Sequence, residues 1–176
     1  MNGVVLVTGV MASGKSAVAQ ALALRLPRAA HVRGDVFRRM VVSGREEYAP
    51  GAGGEAEAQL RLRYALSAAT ADAYARAGFT AVVQDVVLGA HLTAYVETVR
   101  TRPLYVVVLA PDAAAVAARE AGREKTGYGG GWTVRGLDTE LRTRTPRIGL
   151  WLDTTKWTVG ETVEAILSGR ERARVV

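Results

Sequence analysis

The chain has 176 residues, 49% of them hydrophobic, which is enough for one domain with a real core and excludes a disordered chain. It has no cysteine, so disulfides, thiol catalysis and cysteine-ligated zinc are excluded, and no apolar run long enough to span a bilayer. The net charge is +6, and all but three of its 23 basic residues are arginines; a basic surface can attract nucleic acid or another anionic ligand, but the arginines are scattered, which fits a compositional bias better.

The chain opens with MNGVVLVTG, which lacks a basic leader and a small-residue cleavage site. Its apolar, β-branched run predicts a first strand over residues 3–8 and, with the lack of cysteine, a cytoplasmic protein. Helical spacing follows over 15–26 and stops at Pro27. A short strand is expected at 29–33 and a short helix at 36–43. Residues 44–54 carry Pro50 and several glycines and read as a loop. A long alanine-rich helix over 55–77 ends at Gly78. Further strands are expected at 79–84, 104–109 and 148–152, with helices at 113–121, 136–144 and 159–167. Strands and helices alternate throughout without repeat or linker. The expected fold is therefore a single α/β domain over 1–176, a parallel sheet with helices on both faces.

Between the first strand and first helix lies GVMASGKS, residues 9–16, which matches G-x-x-x-x-G-K-S in full. Gly9 and Gly14 let the backbone turn, and the amides of Met11, Ala12, Ser13, Gly14, Lys15, Ser16 and Ala17 can face a polyphosphate. Lys15 reaches the outer phosphates, Ser16 supplies an oxygen to Mg²⁺, and the helix adds its positive end. The motif predicts a site for ATP with Mg²⁺.

In an open α/β sheet, ligands bind beyond the carboxyl ends of the strands. Asp35 follows the second strand and Asp85 the third, so both are expected to face that site. Asp35 fits either a helix cap or a catalytic base. Asp85 fits a turn cap or a Mg²⁺ ligand, direct or through water. Arg38 stands three residues after Asp35, which favours it over Arg39 as the neighbour of Asp35; it fits a phosphoryl or acceptor contact, or a surface ion pair. Arg119 and Arg123 share a helix face and lead into a glycine-rich stretch, so residues 120–135 read as a lid bringing positive charge to the γ-phosphate. Trp132 either anchors that lid or stacks on a ligand. His31 and His91 show no metal-ligand spacing and are expected to be structural.

Taken together, GVMASGKS, the GD at 34–35, DVVLG at 85–89, the arginine-bearing lid and WLDTT at 151–155 resemble the small P-loop kinases. Shikimate kinase, gluconate kinase and, most closely in local wording, the chloramphenicol phosphotransferase group are of this kind. The resemblance spans nearly the whole chain. It implies a nucleoside-monophosphate-kinase-like fold with strand order 2-3-1-4-5. It makes Asp35 the catalytic base, sets Arg119 and Arg123 near ATP, and sets Asp153, Thr154 and Thr155 near the adenine. One departure stands out: shikimate kinases carry two acids around the end of strand two, and here Arg33 holds the first position. The expected partners are ATP and a small hydroxyl acceptor, such as an antibiotic, sugar acid, nucleoside or sugar nucleotide. Residues 35–65 are expected to line its pocket, in a monomer or homodimer. A nucleic-acid end kinase and an ATPase or switch without an acceptor are the alternatives.

Overall fold

The computed structural model describes residues 1–122, 128 and 130–175. Its strands in chain order are β1 (Val4–Gly9), β2 (Ala29–Arg33), β3 (Thr80–Gln84), β4 (Leu104–Leu109), β5 (Leu150–Leu152) and β6 (Arg174–Val175). The first five form a parallel sheet in the order β2-β3-β1-β4-β5, as the resemblance implies. β1 lies at its centre, with Val4 opposite Ala81 on one side and Leu104 on the other. β6 was not anticipated. It pairs antiparallel with the start of β4, Leu104 opposite Val175, and two residues are too few to show a strand period.

The helices are α1 (Lys15–Arg25), α2 (Gly34–Met40), α3 (Gly54–Arg76), α4 (Ala90–Thr98), α5 (Ala113–Ala121), α6 (Val134–Thr139), α7 (Val159–Ser168) and α8 (Arg170–Ala173). α6 runs into a π-helical turn over Glu140–Arg144, where the sequence suggests one continuous helix. α2 begins at Gly34 and ends at Met40, two residues before its expected start and three before its expected end. α4 was missed altogether. Its sequence, AHLTAYVET, offers only Leu92 and Tyr95 as fully buried anchors, too weak a period to read.

Both faces of the sheet are covered because strand side chains alternate. Val4, Leu6, Ala81, Val83, Val106 and Val108 point to one face, where they meet Tyr64, Ala68 and Ala71 of α3 and Leu92 and Tyr95 of α4. Val5, Val7, Val82, Val107 and Leu109 point to the other, against Val18, Ala19 and Leu22 of α1 and Val163 and Ile166 of α7. The central strands are valine-rich because both of their faces are dry. Alanine at the buried positions of α3 lets that helix lie close on the sheet. α7 starts on a capping box: the Thr158 hydroxyl accepts from the Glu161 amide, and the Glu161 carboxylate accepts from the Thr158 amide.

This architecture brings the carboxyl ends of the parallel strands to one edge. The loops after β1, β2, β3 and β5 therefore deliver residues 9–16, Gly34–Asp35, Asp85 and residues 153–155 to a common rim. Leu92 has no exposed surface. Leu92→Ala is expected to cost about 2–5 kcal/mol in denaturant unfolding, although the sequence alone gave no reason to count Leu92 as core.

Candidate functional site

The turn from β1 to α1 has the geometry of an anion nest. Gly14, the N-cap of α1, has φ +93°, and Ala12 has φ +59°. Such alternation of backbone conformation forms an anion-binding concavity. Gly9 serves a different need: a Cβ there would lie 2.4 Å from the Leu109 carbonyl oxygen. The first turn of α1 carries no acid, so its positive end is not offset by its own side chains. Lys15 is buried, and its Nζ donates to the Val10 carbonyl at 2.5 Å. The Ser13 hydroxyl is buried without a hydrogen-bond partner among the described residues. Met11, Ala12, Gly14, Lys15, Ser16 and Ala17 all line one large cleft of about 1630 Å³.

Asp35 and Arg38 line the same cleft. Asp35 stands in the first turn of α2, with its side chain about one-third exposed. It is bound by Arg39, whose Nη2 lies 3.0 Å from Oδ2, and Arg33 Nε lies 3.6 Å from Oδ1. Oδ1 itself is buried and has no hydrogen-bond partner. The neighbour of Asp35 is thus Arg39, at i+4, and not Arg38 as the spacing suggested. Arg38 instead donates to Glu47 in the loop before α3, and this hydrogen bond holds the Glu47 carboxyl below its ordinary range. The sequence could not reveal Glu47 as the partner, because the pairing depends on how a long loop folds back.

Asp85 follows β3 at the rim, as expected. It has no exposed surface. Arg63 of α3 grips both its oxygens, Nε donating to Oδ2 at 2.8 Å and Nη2 to Oδ1. The Val86 amide also donates to Oδ1 at 2.7 Å. Asp85 thus stands in a bidentate ion pair. Burial pushes the Asp85 carboxyl up, while the Arg63 guanidinium, the Val86 amide and Lys15 pull it down. Gly34 makes room for the pair: a Cβ there would sit 1.9 Å from Asp85 Oδ2. Arg63 and Gly34 are the neighbours of Asp85 that sequence reasoning missed. Gly34 carried a signal, a glycine directly before the candidate base, but Arg63 looks like any surface arginine on an alanine-rich helix.

On the far side of the nest, Arg119 Nη2 donates to the carbonyls of Thr154 at 2.9 Å and Thr155 at 3.3 Å. The structure therefore joins Arg119, expected near ATP, to Thr154 and Thr155, which the resemblance sets near the adenine. The Thr154 hydroxyl is buried without a partner. Arg123, expected beside Arg119, lies outside the described residues, as do residues 124–127 and 129 of the expected lid. The described end of that segment touches both sides of the cleft. Tyr128 donates its hydroxyl to the Met11 carbonyl at 2.9 Å, and Trp132 donates its indole N–H to the Tyr48 carbonyl at 2.9 Å. Trp132 is an anchor of this segment. His91, expected to be merely structural, sits in the cleft lining with its ring 6.0 Å from that of Tyr48 and 5.7 Å from that of Tyr64.

The sheet order, the nest and the cleft at the strand ends define a P-loop protein of kinase-like fold. The family model described as AAA domain (AAA_33) matches residues 4–144, and the chain belongs to that family. No curated protein matches the sequence. Among solved structures, the chain is similar to a sugar kinase from Janibacter sp., at 19% identity and TM-score 0.72 over 98% of this chain and 96% of that one. It is also similar to a tunicamycin resistance protein from Deinococcus radiodurans, at 14% identity and TM-score 0.72 over 100% and 99%. A gluconokinase from Sinorhizobium meliloti follows at 21% identity and TM-score 0.63 over 97% and 92%. At these identities the likeness is one of fold.

The Arg63–Asp85 pair gives a direct test. Arg63→Ala leaves a fully buried carboxylate uncompensated and is expected to cost about 3–5 kcal/mol. Without Arg63, burial raises the pKa of Asp85 in the folded state above its unfolded value, so the folded state binds the extra proton. The stability deficit against the parent should accordingly grow as pH rises from about 4.5 to about 8, read by denaturant melts at the two values. A deficit that shrinks over this range would contradict the assignment.

Proposed function

We propose that the protein is an ATP- and Mg²⁺-dependent phosphotransferase that phosphorylates a hydroxyl group of a small molecule. One observation carries this reading: Asp35, whose buried Oδ1 accepts no hydrogen bond among the described residues, lines the same cleft as Met11, Ala12, Gly14, Lys15 and Ser16 of the nest. A nest alone is compatible with nucleotide hydrolysis. A nest facing a carboxylate across an open cleft suits transfer to a second substrate. The kinase-like fold and the sugar kinase and gluconokinase among its neighbours support the same reading.

The residues divide the work as follows. The nest amides and Lys15 hold the phosphates, with Lys15 exchanging the Val10 carbonyl for phosphate oxygens. The Ser16 hydroxyl, at the open start of α1, is the protein's oxygen for Mg²⁺. Mg²⁺ would take its other ligands from phosphate oxygens and water. When bound, Mg²⁺ neutralises charge on the phosphates. Asp35 orients the acceptor hydroxyl and takes its proton. Arg119 and Arg123 stabilise the spreading charge, and the segment at Thr154 and Thr155 lies against the base. Arg38 can reach the transferring group only by leaving Glu47. Acceptors of the sugar, nucleoside or antibiotic type fit the size of the cleft.

Asp35→Asn should lower kcat roughly 10²–10⁴-fold while ATP affinity by calorimetry stays within about twofold of the parent. Equal turnover by the variant would remove Asp35 from the chemistry. Ser16→Ala should raise the Mg²⁺ concentration needed for half-maximal rate several-fold and leave the fold unchanged by circular dichroism.

A further inference from the structure

We propose that the acceptor carries a flat ring, and that Tyr48, His91 and Trp132 form the subsite that selects it. This rests on the phosphotransferase reading above and narrows its acceptor to ring-bearing alcohols. Four rings meet on one wall of the cleft, and they come from four separate parts of the chain. Tyr48 lies in the loop before α3, Tyr64 on α3, His91 in the first turn of α4 and Trp132 just before α6. The Tyr48 ring centroid lies 6.0 Å from that of His91 and 6.2 Å from that of Trp132, and His91 lies 5.7 Å from Tyr64. The Tyr48 and His91 planes are 83° apart, the edge-to-face arrangement that aromatic pairs favour. Tyr64 is the buried floor of the group, and its hydroxyl donates to the Val86 carbonyl at 2.6 Å. Trp132 commits its indole N–H to the Tyr48 carbonyl. What these two can offer a ligand is therefore ring surface.

Rings gathered only to fill the core would be sealed from solvent, as Tyr95 is. Tyr48 is instead 37% exposed, and His91 and Trp132 are half-buried. The wall continues in the same kind: Leu62 and Leu66 of α3 are 51% and 41% exposed and line the same cleft. Apolar and aromatic surface along a concave site is what a ligand gains by covering. Beside the rings, the polar side chains of the loop before α3 and of its first turns are engaged with one another. Gln59 donates to the Gly44 carbonyl and to Glu55, and it accepts from the Glu46 amide. Glu47 holds Arg38 and Arg45. A ring laid against Tyr48 and Trp132 leaves these bonds intact. A compact polyol in the same place must break them or leave its own hydroxyls unpaired. A charged group elsewhere on the acceptor is compatible with this, because Arg135 and Arg144 line the cleft too.

The test uses the intact protein with ATP and Mg²⁺ and two sets of primary alcohols of similar size, benzyl alcohols and open-chain polyols. Each set includes neutral members and members bearing a carboxylate, and phosphorylated product is read by mass. The parent should favour the benzyl alcohols in kcat/KM by about tenfold or more, whatever their charge. Tyr48→Ala removes the ring but keeps the backbone carbonyl that Trp132 binds. It should raise KM for the benzyl alcohols about tenfold, while their kcat, the KM for polyols and the ATP affinity by calorimetry stay within about twofold. Tyr48→Phe should behave as the parent, and His91→Ala should shift KM in the same direction as Tyr48→Ala. A parent that prefers polyols, or uses both sets equally, overturns the proposal and leaves the phosphotransferase reading standing. So does a Tyr48→Ala enzyme whose KM values are unchanged, or rise alike for both sets, because Tyr48 then only holds its loop. If Tyr48→Ala does not fold, His91→Ala and the parent's ratio decide. Failure to phosphorylate any alcohol of either kind, with ATP still bound, overturns the phosphotransferase reading itself and this inference with it.

Discussion

Five parallel strands end at one edge of the sheet, and every polar group left at that edge has to find a partner there. The buried Arg63–Asp85 pair is the deepest solution to that problem. It closes the end of β3, ties α3 to the sheet, and requires Gly34 at the start of α2. Asp35 is placed by the same arrangement, since it follows Gly34 on the first turn of a helix whose position the pair constrains. The loop after β1 solves its own version of the problem in the opposite way. It leaves the Ser13 hydroxyl without a hydrogen-bond partner among the described residues, a donor available to an anion.

The layout of the fold was legible in the sequence because each buried strand is a valine-rich run bounded by a glycine, a proline or an acid. GVVLVTG, FTAVVQD and PLYVVVL need no tertiary information to be read as strands covered on both sides. The helix over Ala90–Thr98 escaped because two buried side chains on nine residues do not make a period, and the two-residue β6 because it has none. Of the site, the phosphate nest was fully legible, since its spacing is set by backbone geometry and backbone geometry is local. The carboxylates at 35 and 85 were legible as positions, because strand ends are predictable, but their partners were not. Spacing along α2 pointed to Arg38 for Asp35, and the helix delivers Arg39 instead. Nothing in the chain announces that Arg63, twenty-two residues away, will reach Asp85.

The segment after α5 joins the two halves of the cleft. Tyr128 reaches the nest through Met11, and Trp132 reaches the loop before α3 through Tyr48. Both bonds go to backbone carbonyls, so neither depends on the identity of the residue it reaches. The loop that carries Tyr48 also carries Glu47, the partner of Arg38. One short stretch thus fixes both an aromatic wall and the position of an arginine that faces the cleft.

The space behind Gly34 has a consequence for how this sequence can change. A side chain at position 34 and an acid at position 85 exclude each other, because the first would occupy the volume of the second's carboxylate. Arg63 in turn has no reason to stay buried once that carboxylate is gone. The three positions, far apart in the chain, form one unit of variation: single replacements should be poorly tolerated, and combined ones should depart strongly from the sum of their parts.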